Sequence, residues 1–197
     1  MALEDKDEAA ISRIVAPRAD ASLGEGETEM RAVWQVDLSL FVREPVGPLD
    51  AKAAAKLDRT SLTLECVFGD RDEGVYPSRG GAEARRSRFF GFSTSGESQT
   101  RGAPPGYWIA DEPGFFKFSL PATSPISFSN ITCVPIGAVY FNAEIETERK
   151  ESSSETRLVS GVATIKRDVP ASFMGADYSG ILAEYVVVGT FSARRVN

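Results

Sequence analysis

The stretch MRAVWQVDLSLFVR, residues 30–43, decides the fold because its side chains alternate between apolar and polar. Methionine, alanine, tryptophan, valine and leucine occupy every second position, and mostly polar residues lie between them. Successive side chains of a β-strand point to opposite faces, so this period of two predicts one long strand with a dry face and a wet face. At about 3.3 Å per residue the strand would extend roughly 40 Å, which is typical of a strongly curled or closed sheet.

The same period of two recurs along the rest of the chain. Further strands are predicted at residues 60–68, 87–93, 106–110, 115–120, 126–133, 138–147, 157–167 and 181–193. The sequence Glu-Pro-Gly at residues 112–114 places proline and glycine where a type II turn needs them, so a hairpin is expected there. Gly161 and Gly189 fall inside predicted strands, where glycine often marks a sharp bend. Residues 69–86, rich in glycine and charged side chains, are predicted to be a long loop.

The remaining segments are assigned to a tail and a helix. Residues 1–29 are polar and acidic, and we expect a flexible N-terminal tail or lid in which residues 10–15 dock as a strand or a helical turn. Asp50 can cap a short helix over residues 51–57. No linker divides the chain after the tail, so residues 30–197 are expected to form a single β-barrel domain.

Eight or nine strands joined by hairpins, with one short helix, predict an all-β protein. We expect an antiparallel up-and-down β-barrel, because the strands are long, glycines interrupt them and the hairpins are sequential; a β-sandwich is the alternative. The architecture is similar to that of calycin or lipocalin-like barrels and of allene-oxide-cyclase-like barrels. No stretch of the chain carries a motif of either family, so this analogy concerns architecture alone.

The composition excludes several classes of chemistry. The 197 residues include no histidine and two cysteines, so a Ser-His-Asp triad, a Cys-His pair and histidine-ligated zinc or haem sites are ruled out within the chain. Neither a Walker A motif nor a dinucleotide-binding glycine pattern is present. We therefore expect no metal and no cofactor. Cys66 and Cys133 have apolar neighbours and are predicted to be buried, reduced thiols.

Charge and hydropathy limit the partners. A formal net charge of −6 argues against nucleic acid, because phosphate binding relies on lysine and arginine. No apolar run approaches the roughly 20 residues that a membrane span requires, and the N-terminus lacks the basic and apolar regions of a secretory signal. We expect a cytoplasmic protein, with an organelle transit peptide that has been removed as the open alternative. A homo-oligomer is a possibility that the sequence leaves open.

Aromatic side chains suggest where a ligand would bind. Six of them fall on predicted inward faces or at strand ends: Trp34, Tyr107, Trp108, Phe116, Phe118 and Phe141. In one interpretation they fill the core, and in the other they line a cavity for a hydrophobic small molecule. An eight-stranded barrel is just wide enough for either. We take these six as the predicted ligand-binding residues.

Glu184 is the predicted catalytic residue, together with its neighbour Tyr185, because it interrupts the apolar run ILAEYVVV of residues 181–188. If Glu184 faces the interior, desolvation would raise its pKa and make it a candidate acid or base. If it faces outward, it is a solvated charge on the barrel wall. The sequence does not decide between these orientations.

Two functional hypotheses are consistent with these features. The first is a barrel that binds a hydrophobic small molecule and acts as a cofactor-free cyclase or isomerase of a biosynthetic pathway, in which an aromatic pocket preorganises the substrate. The second is a non-enzymatic protein-interaction or assembly factor that uses the polar loops and the acidic tail.

Overall fold

The computed structural model describes residues 4–15, 33–42, 58–72, 74, 76–87, 105–150, 153–168, 172–173, 176–177 and 183–196. The described helix is α1 (Glu4–Val15). The described strands are β1 (Val33–Phe41), β2 (Arg59–Phe68), β3 (Ser78–Ser87), β4 (Tyr107–Ala110), β5 (Phe115–Ala122), β6 (Ile126–Phe128), β7 (Ile131–Val134), β8 (Gly137–Lys150), β9 (Ser153–Asp168), β10 (Ser172–Phe173), β11 (Ala176–Asp177) and β12 (Ala183–Val196).

Eight of these strands close into an antiparallel barrel, in the order β1-β2-β3-β4-β5-β8-β9-β12 and back to β1. Each strand of the ring is followed around the barrel by the next ring strand in the chain, which is the up-and-down order that the sequence predicts. Within the described residues each strand of the ring therefore has a paired neighbour on both sides. Two small sheets lie outside the ring, β6 with β7 and β10 with β11. The predicted all-β barrel is thus confirmed.

Strand β1 shows how the sequence pattern produces the barrel. From Trp34 to Leu40 every second side chain is buried, so the apolar set lies in the interior. The exposed Asp37 lies on the outer face, where its carboxylate accepts a hydrogen bond of 3.0 Å from the Thr63 hydroxyl of the neighbouring strand. The outer wall is therefore polar over this part of the barrel.

Strand β3 corrects a sequence prediction, because residues 78–86 belong to a strand and not to the predicted loop. Its inward positions, Gly80, Ala82 and Ala84, are buried but too small to give an apolar signal. A Cβ atom on Gly80 would lie 2.5 Å from the Trp108 Nε1 atom, so the indole leaves no room for a side chain larger than that of glycine. The predicted strand at residues 87–93 lies outside the described residues after Ser87.

The predicted strand at residues 126–133 is in fact the hairpin of β6 and β7. The chain turns at Ser129 and Asn130, whose φ angles are 48° and 67°. Positive φ at both central residues is what a two-residue type I′ turn requires, and asparagine tolerates it well. The turn signal was missed because the sequence contains no glycine at this point.

Helix α1 lies in the segment predicted to be a tail, and it is longer than the helical turn expected at residues 10–15. Its Ile14 side chain is fully buried in the core, and the Ile14 carbonyl oxygen accepts a hydrogen bond of 3.0 Å from the Trp34 indole N–H. The end of α1 therefore packs where β1 begins. The predicted helix at residues 51–57 and the rest of the tail, residues 16–29, lie outside the described residues, so the division into a tail and a domain stays a prediction.

The two predicted glycine bends coincide with irregularities of the ladder between β9 and β12. The register shifts between Val187 and Gly189, and again after Phe191. Gly161 pairs with Phe191, and a Cβ atom on Gly161 would lie 2.5 Å from the Phe191 ring. Glycine at this position thus lets the strand pass close to an inward ring.

Candidate functional site

Five of the six predicted ligand-binding residues form part of an aromatic cluster inside the barrel. Trp34, Trp108, Phe116, Phe118 and Phe141 are each at most 2% exposed. They pack with Phe68 and Phe191, and we call these seven residues the inner cluster. The rings of Phe118 and Phe141 stack with centroids 4.5 Å apart, and those of Trp108 and Phe116 stack at 5.7 Å. These separations are usual for aromatic pairs in direct contact.

The polar atoms of the inner cluster are also satisfied within the protein. The Trp108 indole N–H donates to the Gly69 carbonyl oxygen at 2.9 Å, as the Trp34 indole N–H does to Ile14. Cys66 and Cys133 are buried free thiols, as the sequence predicts, and burial raises the pKa of the Cys66 thiol. Rings that contact each other and donors that reach backbone carbonyls favour the interpretation in which these residues fill the core.

The sixth residue, Tyr107, lies on the outside of the barrel and belongs to a different arrangement. A groove of about 430 Å³ crosses the outer wall over β4, β5, β8, β9 and β12. Its sides are formed by Tyr107, Tyr140 and Tyr185, with the apolar side chains of Ile109 and Val162 between them. We call this feature, defined by these five residues, the tyrosine groove.

The register of the sheet explains the shape of the tyrosine groove. Ser119 on β5 pairs with Tyr107 on β4 and with Tyr140 on β8. Because neighbouring strands are about 4.8 Å apart, the two tyrosine backbones lie roughly 10 Å apart, with a small residue between them. Ser119 is buried, and its Oγ accepts a hydrogen bond of 3.3 Å from the Tyr107 backbone N–H. Tyr107 and Tyr140 therefore stand on either side of β5 as the walls of a slot, which the Lys117 side chain also lines.

Tyr185 extends the wall on the side of β12. Its ring meets the Tyr140 ring edge to face, with centroids 5.4 Å apart and an interplanar angle of 78°. Burial raises the pKa of Tyr140, and the neighbouring phenols of Tyr185 and Tyr107 raise it further. At neutral pH the Tyr140 hydroxyl is therefore protonated and can donate a hydrogen bond.

Charged groups lie at one end of the groove. The Lys117 ammonium nitrogen is 2.9 Å from the Asp111 carboxylate and 3.2 Å from the Glu112 carboxylate. The hydrogen bond to Asp111 is the main reason that the pKa of Lys117 is raised, and the hydrogen bond to Glu112 adds to it. This lysine is thus engaged by two carboxylates, which outnumber it.

A second groove of about 410 Å³ adjoins the first, and Tyr107 and Ile109 line both. Gly81 on β3, the strand partner of Tyr107, has no atom within 4 Å of where a Cβ atom would lie, so the wall is open beside the Tyr107 ring. At the far end of this second groove, the Arg79 guanidinium donates to the Asp72 carboxylate at 3.2 Å.

Glu184 lies near the start of β12, on the face opposite to that of Tyr185, and is about half exposed. The Arg167 guanidinium donates to its carboxylate, with an Nε–Oε1 distance of 2.8 Å and a second, shorter contact from Nη2. Its strand partner Arg167 lies on the face of β9 that carries the buried Ala163, so of the two orientations considered from the sequence Glu184 takes the inward one, at the solvent-exposed end of the strand. Glu184 is not among the residues that line the tyrosine groove, although Tyr185 is.

The structure therefore divides the predicted site residues. It brings Tyr107 and Tyr185 together in the tyrosine groove, with Phe118 and Phe141 contributing to the floor. It leaves Trp34, Trp108 and Phe116 in the core and Glu184 in a surface ion pair.

Tyr140 is not among the site residues that the sequence predicts, although it lines the groove. A usable signal was present in the segment YWIA of β4, which is apolar on both faces. A strand with one solvated face should not place a tyrosine and then an isoleucine on that face. Such a strand indicates that its outer side is covered or binds something.

Three further features give no indication of function: groups of metal-binding side chains, membrane-spanning helices and similarity to known proteins. Within the described ranges, no three histidine, cysteine, aspartate or glutamate residues are grouped so that they could hold a metal ion. The described helix is too short and too polar to cross a lipid bilayer. The chain matches no family model, no curated protein and no solved structure. The tyrosine groove is therefore the main guide to function.

Proposed function

We propose that this protein binds a flat, largely hydrophobic small molecule in the tyrosine groove. The observation that carries the proposal is the slot lined by Tyr107 and Tyr140 and extended by Tyr185. A volume of about 430 Å³ lies within the range of small-molecule sites, which combine apolar walls with a few polar groups. The Asn142 amide and the Thr164 hydroxyl supply such polar groups here.

The contrast with the rest of the wall supports this proposal. The outer positions of β1 carry polar side chains such as Asp37, whereas those of β4 carry Tyr107 and Ile109. Tyr107 is 43% exposed and Tyr185 is 62% exposed. Exposed apolar surface concentrated at one place on a wall is a mark of a binding site. Tyrosine suits this role because it gives a large contact area at a low cost in conformational entropy.

Titration with the neutral solvatochromic dye Nile red tests the proposal. Replacing Tyr107 or Tyr185 by alanine removes a wall of the slot, and we expect the dye affinity to fall about tenfold. Tyr76→Ala is the matched control, because Tyr76 is 92% exposed and does not line the groove. Unchanged affinity in both groove variants would contradict the proposal.

A further variant separates the groove from the barrel interior. Trp34→Phe changes the inner cluster and leaves the groove intact, so dye affinity should stay the same. If Trp34→Phe greatly lowered the dye affinity and Tyr107→Ala did not, the ligand would bind in the interior, as the sequence suggests. The predicted cyclisation or isomerisation chemistry stays a prediction; the groove offers orientation and a protonated Tyr140 hydroxyl to such a reaction.

A second candidate function, protein interaction or assembly, is favoured by a different surface. Phe128 and Ile131 on the β6–β7 hairpin are exposed, and so is Ile136 just after it. Large exposed apolar side chains that lie together often mark protein contacts. Sedimentation of the double variant F128S/I131S tests this surface as a contact between copies of the chain. A wild-type mass above that of a monomer, lost in the variant, would support it; an equal mass in both would oppose it.

A further inference from the structure

We infer that the ligand of the tyrosine groove is an organic ammonium ion, held against the faces of the tyrosine rings. This inference rests on the proposed function and specifies the chemical class of its ligand. Three features of the groove support it: the arrangement of the rings, the balance of nearby charges and the engagement of Lys117.

The rings are arranged as the walls of an aromatic cage. Tyr140 and Tyr185 stand nearly perpendicular to each other at 5.4 Å, so together they form a corner. Tyr107 lies across Ser119, two strands from Tyr140, and lines the same groove. The face of an aromatic ring carries negative charge density, and several rings around one point attract a cation, above all a quaternary ammonium group.

The charges around the groove favour the same ligand. Asp111 and Glu112 lie at one end, and Glu144 lies on the same outer face of β8 as Tyr140. The positively charged groups are Lys117, which pairs with Asp111 and Glu112, and Lys166, the strand partner of Tyr185. Three carboxylates against two ammonium groups leave an excess of negative charge, on a chain whose net charge is −6. Such a field raises the local concentration of cations.

Lys117 is poorly placed to recognise an anion. Its ammonium group is within 3.2 Å of two carboxylates, which already satisfy its charge. An anionic ligand near Lys117 would also approach Asp111 and Glu112, and like charges repel. In the adjoining groove the charge of Arg79 is balanced by Asp72. A cation near Lys117 would instead be attracted by Asp111 and Glu112, which together outweigh the charge of that lysine.

The direct test compares two ligands of the same shape and different charge. Phenyltrimethylammonium and its uncharged isostere tert-butylbenzene are titrated separately into the intact, ¹⁵N-labelled chain, and affinities are read from the amide signals of Tyr107 and Tyr185. We expect the cation to bind about tenfold more tightly than the isostere. Equal or weaker binding of the cation would overturn the inference and leave the proposed function standing. Binding of neither compound at these residues would overturn the inference, and Nile red would then decide the proposed function separately.

Variants of Tyr140 distinguish the ring face from the hydroxyl group. Tyr140→Phe keeps the aromatic face, and cation affinity should stay within about threefold of wild type. Tyr140→Leu keeps an apolar side chain without that face, and cation affinity should fall about tenfold while tert-butylbenzene affinity changes little. Tyr76→Leu serves as the control outside the groove. An equal loss of cation affinity in the phenylalanine and leucine variants would show that the ring face is not what binds the cation.

Discussion

The barrel carries aromatic residues on both sides of the same strands, and the two sets differ in residue type. The inner cluster contains only phenylalanine and tryptophan, whereas the aromatic walls of the tyrosine groove are all tyrosine. On β4 and on β8 the two sets are adjacent in sequence: Tyr107 precedes Trp108, and Tyr140 precedes Phe141. One residue of each pair therefore serves the core, and the other serves the outer wall.

The difference in residue type follows from how polar atoms are hydrogen-bonded inside the barrel and on its outer wall. Inside the barrel an unpaired hydroxyl would be costly, and the two indole N–H groups each find a backbone carbonyl. On the outer wall a tyrosine hydroxyl can reach water or a ligand, while its ring still offers apolar area. The inner cluster thus stabilises the fold, and the tyrosine groove is available for recognition. Substitutions on the two sides of the wall can test whether this separation holds.

The largest expected effect is loss of stability when an inner ring is removed. Phe118 stacks on Phe141 and also contacts Phe68 and Phe191 edge to face. Phe118→Ala should lower the free energy of unfolding by about 3–5 kcal/mol, because it leaves a cavity in a packed core. Urea unfolding measures the change. Tyr107→Ala, the comparison from the outer wall, should cost much less; a similar loss in both variants would contradict the separation of core and groove.

The second-largest expected effect is also on stability, and it concerns two consecutive glycines of β3 that lie on opposite faces of the sheet. At Gly80 a Cβ atom would lie 2.3 Å from the Asp70 carbonyl oxygen and 2.5 Å from the Trp108 indole nitrogen. Gly80→Ala should therefore destabilise the protein by about 1–3 kcal/mol through overpacking. At Gly81 the space is open, and Gly81→Ala should be neutral or stabilising by about 0.5 kcal/mol, because alanine has less freedom in the unfolded chain.

Thermal unfolding of the two alanine variants provides the measurement. If Gly81→Ala were the more harmful of the two, the assignment of inner and outer faces on β3 would be wrong. The pair is informative because the substitution is the same in both and only the side of the sheet differs.

The sequence predicted the barrel because one physical signal, the alternation of side chains, is strong wherever inward residues are large. Trp34 to Leu40 on β1 is the clearest case. The signal failed on β3, where Gly80 and its small inward neighbours make room for Trp108. The need for small residues arises from a ring that lies far away in sequence, so no local pattern contains it.

The site was predicted only in part, for a related reason. Tyr107 and Tyr185 were named from the sequence, but the interior was expected to hold the ligand. Whether inward rings fill a barrel or line a cavity depends on how their volumes fit together, which hydrophobic periodicity does not report. Tyr140 joins the groove because Ser119 brings it opposite Tyr107, and that register is a property of the closed sheet.

A smaller effect on stability is expected from pH. The pKa of Tyr140 is raised above its ordinary value of 10.0, so the folded protein holds this proton more tightly than the unfolded chain does. The stability that this provides is present below pH 10 and is lost as pH rises through the raised pKa. Unfolding measured across this range, together with ultraviolet detection of the phenolate, should show a decline that Tyr140→Phe reduces. A decline of the same size in the variant would assign the effect to other groups.

The smallest effect is expected at Glu184, which precedes Tyr185 and lies on the opposite face of β12. Its carboxylate and the Arg167 guanidinium are each about half exposed, so water screens their attraction. Glu184→Gln should change the free energy of unfolding by about 0.5 kcal/mol or less and should leave Nile red affinity unaltered. Tyr185→Ala, one residue further along, should weaken dye binding while costing little stability. If Glu184→Gln instead weakened ligand binding as strongly as Tyr185→Ala, this carboxylate would take part in binding despite its place on the opposite face of β12, and the acid–base role predicted from the sequence would be supported.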